Sequence, residues 1–297
     1  MPDWAVIRQD SALLDRIDSE LPLLPDHRAA FDALACALTQ CHEDRVTGAL
    51  RVAGNAGGLF HLRDGAVIAV ESAGSPGVET LLLSSGGVSA EDWDAALVES
   101  VATGSLQAAL VARGSIGLAE VEAVAVAALQ DGAFAIAAGD VQECVVDSDC
   151  ADVPLLPVTG GVAPAPLLAE TAGRLDAVAS LPVPLSPYRD RVVPGRATTS
   201  MSGERREIVA HATGRRTARD IAFATGRSLH SVTVEISRML GEELLEIAPP
   251  ATAFSFSHWG LPSLRPRAPG PGSGKELDWT TTPWPPNCGK SERTSPE

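Results

Sequence analysis

Lysine is nearly absent: Lys275 and Lys290 stand against 21 arginines, and both fall in the last thirty positions. The C-terminal end is foreign in composition to the rest of the chain. Aromatic residues are scarce, at 4%, which excludes a core built on large rings and leaves Ala, Val and Leu to fill it. No apolar run approaches the roughly 18 to 20 residues that cross a bilayer, and the opening MPDWAVIRQD lacks the cationic and apolar regions of a signal peptide. A cytoplasmic protein with no membrane partner is expected. The five cysteines, Cys36, Cys41, Cys144, Cys150 and Cys288, are too few and too irregular for a secreted disulfide framework, so reduced thiols are expected. Basic charge is missing from the first half: residues 1–150 carry 7 Arg against 23 acids, net −16, in a chain whose total is −15. That excludes a protein that coats nucleic acid or anionic membrane over its whole surface.

What is present has the make-up of a globular protein. Hydrophobic residues are 45% and charged residues 21% of the chain, and 297 residues suit about two domains. Residues 1–28 read as an N-terminal extension holding a short amphipathic stretch, DSALLDRIDSELPLL. An apolar-periodic segment from about Ala29 to Cys41 reads as a helix. Three short apolar runs follow, GALRVA, GGLFHLR and AVIAVES. Asp64-Gly65 between the last two is a hairpin signal, because a tight primed turn needs positive φ at its centre. These runs predict a small antiparallel meander.

The next four segments, GVETLLLSS, SAEDWDAALVES, SLQAALVARG and GLAEVEAVAVAALQ, have helical spacing. Ser89, three residues before Asp92, is placed as an N-cap. AFAIAAG is a candidate to return to the sheet. Residues 29–147 are thus expected to form an α+β domain. Residues 148–200 read as a Pro-rich linker with one helix, PLLAETAGRLDAVASL. Residues 201–250 form a second domain, and 251–297, rich in Pro, Gly, Ser and Thr, read as a low-order tail.

Motifs for catalysis and metal binding fail on their chemistry. GPGSGKE has Glu276 where magnesium coordination needs Ser or Thr, and no strand precedes it. Asp147, Asp149 and Asp152 lack the turn glycine and distal glutamate of a calcium loop. Cys36 and Cys41 are five apart, do not share a helix face, and have no second pair to complete a zinc site. They read as small buried hydrophobes. The six histidines are scattered, without a nucleophile elbow or paired carboxylate. No catalytic residue, metal or cofactor is expected, and the chain reads as non-enzymatic.

The strongest local signal is ERREIVAHATGRRTARDIAFATGRSLHSVTVEISRMLGEELLEI, residues 204–247. It parses into helices over about Gly203–His211, Thr217–Ala224 and Ser228–Glu242. Ala222 followed four residues later by Gly226 marks a helix-turn-helix: a small residue for close approach, and a glycine for the left-handed turn. On the third helix Leu229, Val232, Ile236, Met239 and Leu240 share an apolar side. The opposite side shows Arg227, His230, Ser231, Val234, Ser237 and Arg238. Short hydrogen-bonding groups suit base edges, and arginines suit phosphates. Arg215, Arg216 and Arg219 are phosphate candidates around the second helix, with Thr217 as its cap. The candidate DNA-binding set is Arg215, Arg216, Thr217, Arg219, Arg227, Ser228, His230, Ser231, Val234 and Arg238. Seven Arg against seven acids leave 201–247 neutral, so the electrostatic footprint is weak, and a protein-docking role for the same unit stays open.

Residues 29–140, through TGALRV, GGLFHLRDGAVIAVES, GVETLLLSSGGVSAEDWDAAL and ARGSIGLAEVEAVAVAALQDGAFAI, resemble the PatA N-terminal-like (PATAN) domain. Residues 204–247, especially GRRTARDIAFATGRS and SVTVEISRML, resemble the winged-helix domain found behind it in MarR-like predicted transcriptional regulators of high-GC bacteria. The resemblance covers about two thirds of the chain; the tail after residue 250 matches neither part. It implies a transcriptional regulator whose winged helix binds DNA and whose PATAN-like domain mediates protein contacts. A homodimer is expected, since winged-helix proteins usually read two half-sites. The alternative is an adaptor that does not bind DNA and works through protein–protein contacts alone. A third class, a small-molecule sensor, has no residue cluster pointing at a ligand.

Overall fold

The computed structural model describes residues 25–148, 153–197 and 201–249, with side chains from Phe31 onward. The expected amphipathic stretch near the N-terminus and the tail after residue 250 lie outside the described residues. Helix α1 (Pro25–Glu43) is followed by strands β1 (Gly48–Asn55), β2 (Gly58–Arg63) and β3 (Ala66–Ser72). Asp64 and Gly65 take φ of 50° and 76°, the primed turn expected from the Asp-Gly pair. The Thr47 hydroxyl oxygen accepts from the Asp64 amide at 3.0 Å. A fourth strand, β4 (Asp140–Asp147), completes an antiparallel sheet in the order β3-β2-β1-β4. Leu50 lies opposite Phe60, and Phe60 opposite Val70, all three buried. The expected α+β class holds.

Four helices separate β3 from β4: α2 (Val78–Ser85), α3 (Ala90–Thr103), α4 (Leu106–Ala112) and α5 (Leu118–Ala137). Ser89 caps α3, accepting from the Asp92 amide at 3.0 Å, as its spacing predicted. Trp93, Leu82, Leu106, Leu110 and Val121 form a small core of their own in this region. α5 lies across β3, where a methyl group on Gly132 would come within 2.9 Å of the Val70 side chain; glycine permits this close approach. AFAI, a candidate strand, lies inside α5 instead. A short continuous apolar run fits a fully buried helix end as well as a strand, and every residue from Asp131 to Ala137 is buried. The returning strand is the more polar DVQECVVD.

The segment read as a linker also belongs to the core. Its helix, α6 (Pro164–Ala179), opens with proline in its first turn and buries Leu167, Leu168, Ala172 and Leu175 against α1 and α5. The Val162 amide and carbonyl bond the Val67 backbone at 2.8 and 2.9 Å, and the Val158 amide bonds the Ile68 carbonyl at 2.8 Å. A short strand, β5 (Val192–Pro194), then leads to α7 (Gly203–His211), α8 (Ala218–Thr225), α9 (Leu229–Gly241) and β6 (Leu245–Ile247). β6 returns antiparallel to β5. All of these elements belong to one compact unit, so the two expected domains share a core rather than hanging on a linker.

Cys41 is buried and its thiol is pushed up to about 11, first by burial and then by Asp44. Burial likewise carries Cys144 to about 11. Neither thiol is activated. Among the described residues no helix is long and apolar enough to cross a membrane, and no group of three His, Cys, Asp or Glu side chains is placed to hold a metal.

Candidate functional site

The α7–α9 unit is built from well-terminated helices. Ser202 caps α7. Thr217 and Asp220 form a reciprocal capping box on α8: the Thr217 hydroxyl oxygen accepts from the Asp220 amide at 3.3 Å, and the Asp220 carboxylate accepts from the Thr217 amide at 3.0 Å. Gly226 ends α8 at φ 61°, its amide bonding the Ala222 carbonyl, so the expected turn chemistry is present. Ser228 caps α9, accepting from the Ser231 amide at 3.3 Å. Ile208, Ala218, Ile221, Ala222, Leu229, Val232, Ile236 and Met239 are fully buried. Ala222 is the small residue where the helices meet. The three helices fall within a residue or two of their expected bounds.

The N-terminus of α9 is not open to solvent. Asp131 on α5, 0% exposed, accepts three hydrogen bonds from it. The Ser228 hydroxyl donates to Oδ1 at 2.8 Å, the Leu229 amide to Oδ2 at 2.7 Å, and the His230 amide to Oδ1 at 3.0 Å. A carboxylate buried without partners costs several kcal/mol; here both oxygens are met by the positive end of a helix. The His230 ring stands edge-on to Phe134 of α5, with centroids 5.1 Å apart and an interplanar angle of 80°. Burial, and then the Arg174 charge, hold the His230 imidazole below its ordinary 6.5, while Asp131 and Glu170 act the other way.

Two contacts flank this seat. The Ser84 hydroxyl at the end of α2 donates to the Gly226 carbonyl at 2.5 Å, and Arg219 Nε donates to the Ala73 carbonyl at 2.8 Å. The Tyr188 hydroxyl donates to the Ala135 carbonyl of α5 at 2.6 Å. Burial pushes the Tyr188 phenol up.

The ten residues expected to contact DNA therefore divide. Arg215, Ser231 and Arg238 are exposed, and Arg238 lies 3.7 Å from Glu235. Val234 is half-buried. Arg216 meets the His211 ring. Arg227 pairs with Glu204 at 3.3 Å. Arg219 bonds Ala73 and Asp220 and stacks over the Phe223 ring at 5.0 Å. Thr217 is buried as a helix cap, and Ser228 and His230 face α5. Ser237, placed on the polar side by the helical wheel, is buried and donates to the Val183 carbonyl at 2.7 Å. A wheel separates polar from apolar positions; it does not say whether a polar position meets water or a buried partner.

Asp131 is the residue that motif reading missed. Its signal was there: an acid on α5 whose neighbours three and four residues away are Ala127, Ala128, Phe134 and Ala135. An acid set in an apolar helical stripe needs a buried partner. No family model, curated protein or solved structure matches this chain.

Proposed function

We propose that the chain is a DNA-binding transcriptional regulator, with α7–α9 and the β5–β6 pair as a winged-helix unit and the preceding α+β portion as its protein-contact part. The observation that carries this reading is the α8–Gly226–α9 turn. A capping box, a left-handed glycine and a helix with Ser231 and Arg238 on its open side are the parts from which a major-groove reader is made. Arg215 and Arg238 supply cations for phosphates flanking that helix. Exposed Val98 and Val101, one helical turn apart on α3, support a protein-contact role for the α+β portion. Dimerisation on two half-sites belongs to the same proposal.

A specific observation favours the adaptor reading: Ser228 and His230, at the end of α9 that would meet bases, are seated on Asp131. The test is selection of bound fragments from a random-sequence duplex pool by the full chain, followed by Arg215→Ala and Arg238→Ala. A DNA reader enriches a common sequence. Each substitution then reduces the slope of log affinity against log salt by about 1. No enrichment supports the adaptor; enrichment with slopes unchanged in both variants removes Arg215 and Arg238 from the DNA interface.

A further inference from the structure

We infer that Asp131 is an internal anion that occupies the N-terminus of α9 in place of a nucleic-acid phosphate, so that the α+β portion masks the DNA-reading helix. The inference rests on the DNA-binding reading and assigns that site its regulation. A helix N-terminus is an anion site because its first amides point outward with no partner and the helix dipole is positive there. In α9 these donors are the Leu229 and His230 amides, joined by the Ser228 hydroxyl, and all three converge on one carboxylate from a different part of the chain. No acid stands in the first turn of α9 itself, whereas α8 carries Asp220 there. The position a local acid would fill is served from 98 residues upstream.

The geometry makes docking and DNA reading exclusive. Bases are read by the N-terminal residues of a recognition helix, and here those residues lie against α5. Arg219, which would reach a phosphate, is engaged with the Ala73 carbonyl. Gly226 sits so close to α2 that a methyl group on it would overlap the Ser84 side chain. DNA therefore competes with Asp131 for the same donors, and apparent affinity falls by the fraction of chains in which α9 is free. Any partner that pulls the α+β portion away from α9 raises DNA affinity without touching DNA.

The experiment compares the full chain with Asp131→Asn and Ser84→Glu, using a fluorescent random-sequence 40-base-pair duplex at low salt and amide exchange at Leu229 and His230. Asparagine places an NH2 against backbone donors. Glutamate at the exposed Ser84 sets an anion against the Gly226 carbonyl; it adds negative charge, so tighter DNA binding by this variant is not a charge artefact. Asp140→Asn removes the same charge as Asp131→Asn from an exposed position and leaves affinity within about twofold. At least tenfold tighter binding by both variants, with faster exchange at the two amides, is expected. Equal binding by all forms overturns the mask and leaves the DNA reading standing. Faster exchange without DNA binding by any form overturns both. Unchanged exchange in both variants shows that these contacts do not hold the helix end, and overturns the mask alone. Should Asp131→Asn fail to fold, Ser84→Glu carries the comparison.

Discussion

The N-termini of α8 and α9 solve the same problem in opposite ways. Each leaves amides with no partner inside its own helix. α8 satisfies them with residues of its own first turn, Thr217 and Asp220. α9 has Ser228 for one amide and takes the rest of its acceptors from Asp131, in a helix that closes the α+β core. A local cap leaves a helix complete wherever its domain goes. A remote cap makes the helix end conditional on the packing of two regions. The difference teaches that α9, the helix proposed to read DNA, is the one whose start depends on the rest of the chain.

The largest effect should come from Phe134→Ala. The ring is fully buried in the core and also supports His230, so its loss should cost about 3–5 kcal/mol in a denaturant titration. Amide exchange should quicken at Leu229 and His230 while the Asp220 amide keeps its protection; equal loss at both helix starts would erase the contrast between them. Thr217→Ala comes next, at about 1 kcal/mol, the ordinary cost of a lost N-cap. It should leave exchange at Leu229 and His230 as in the parent chain. Quickened exchange there would mean that α8 and α9 do not start independently.

Much of this is legible in the sequence alone, and the reason is locality. The Asp64-Gly65 turn, the Ser89 cap, the Thr217 cap and the Gly226 stop each depend on residues a few positions apart, and each is present. What escaped depends on pairing across the chain. Leu167, Leu168, Ala172 and Leu175 mark an apolar face on α6, yet flanking prolines gave the segment the look of a linker, and only the α1 and α5 surfaces show what that face covers. The direction of Ser228 and His230 was hidden for the same reason. Hydrophobic periodicity gives a polar side to α9 but not the buried carboxylate that meets it. The exposed members of the candidate site, Arg215, Ser231 and Arg238, were legible because solvent is the default surrounding of a polar helix face.

The smallest effect is a pH dependence that belongs to α9 alone. His230 is held below 6.5 by burial and by Arg174, with Asp131 and Glu170 opposing. Docking and folding therefore favour the neutral ring. Between the depressed value and 6.5 the undocked or unfolded chain binds more protons than the docked one, so stability rises with pH across that window. It is complete above 6.5 and is lost as pH falls toward the depressed value. Comparison of the parent chain with His230→Phe, in denaturant titrations at pH 7.5 and 5.5, isolates the contribution from His211, His42 and His61, which both forms retain. The parent should lose more stability on acidification than the variant, with quickened exchange at the position-229 amide in the parent alone. Equal losses would place the His230 ring in water, and with it the end of α9 that Asp131 holds.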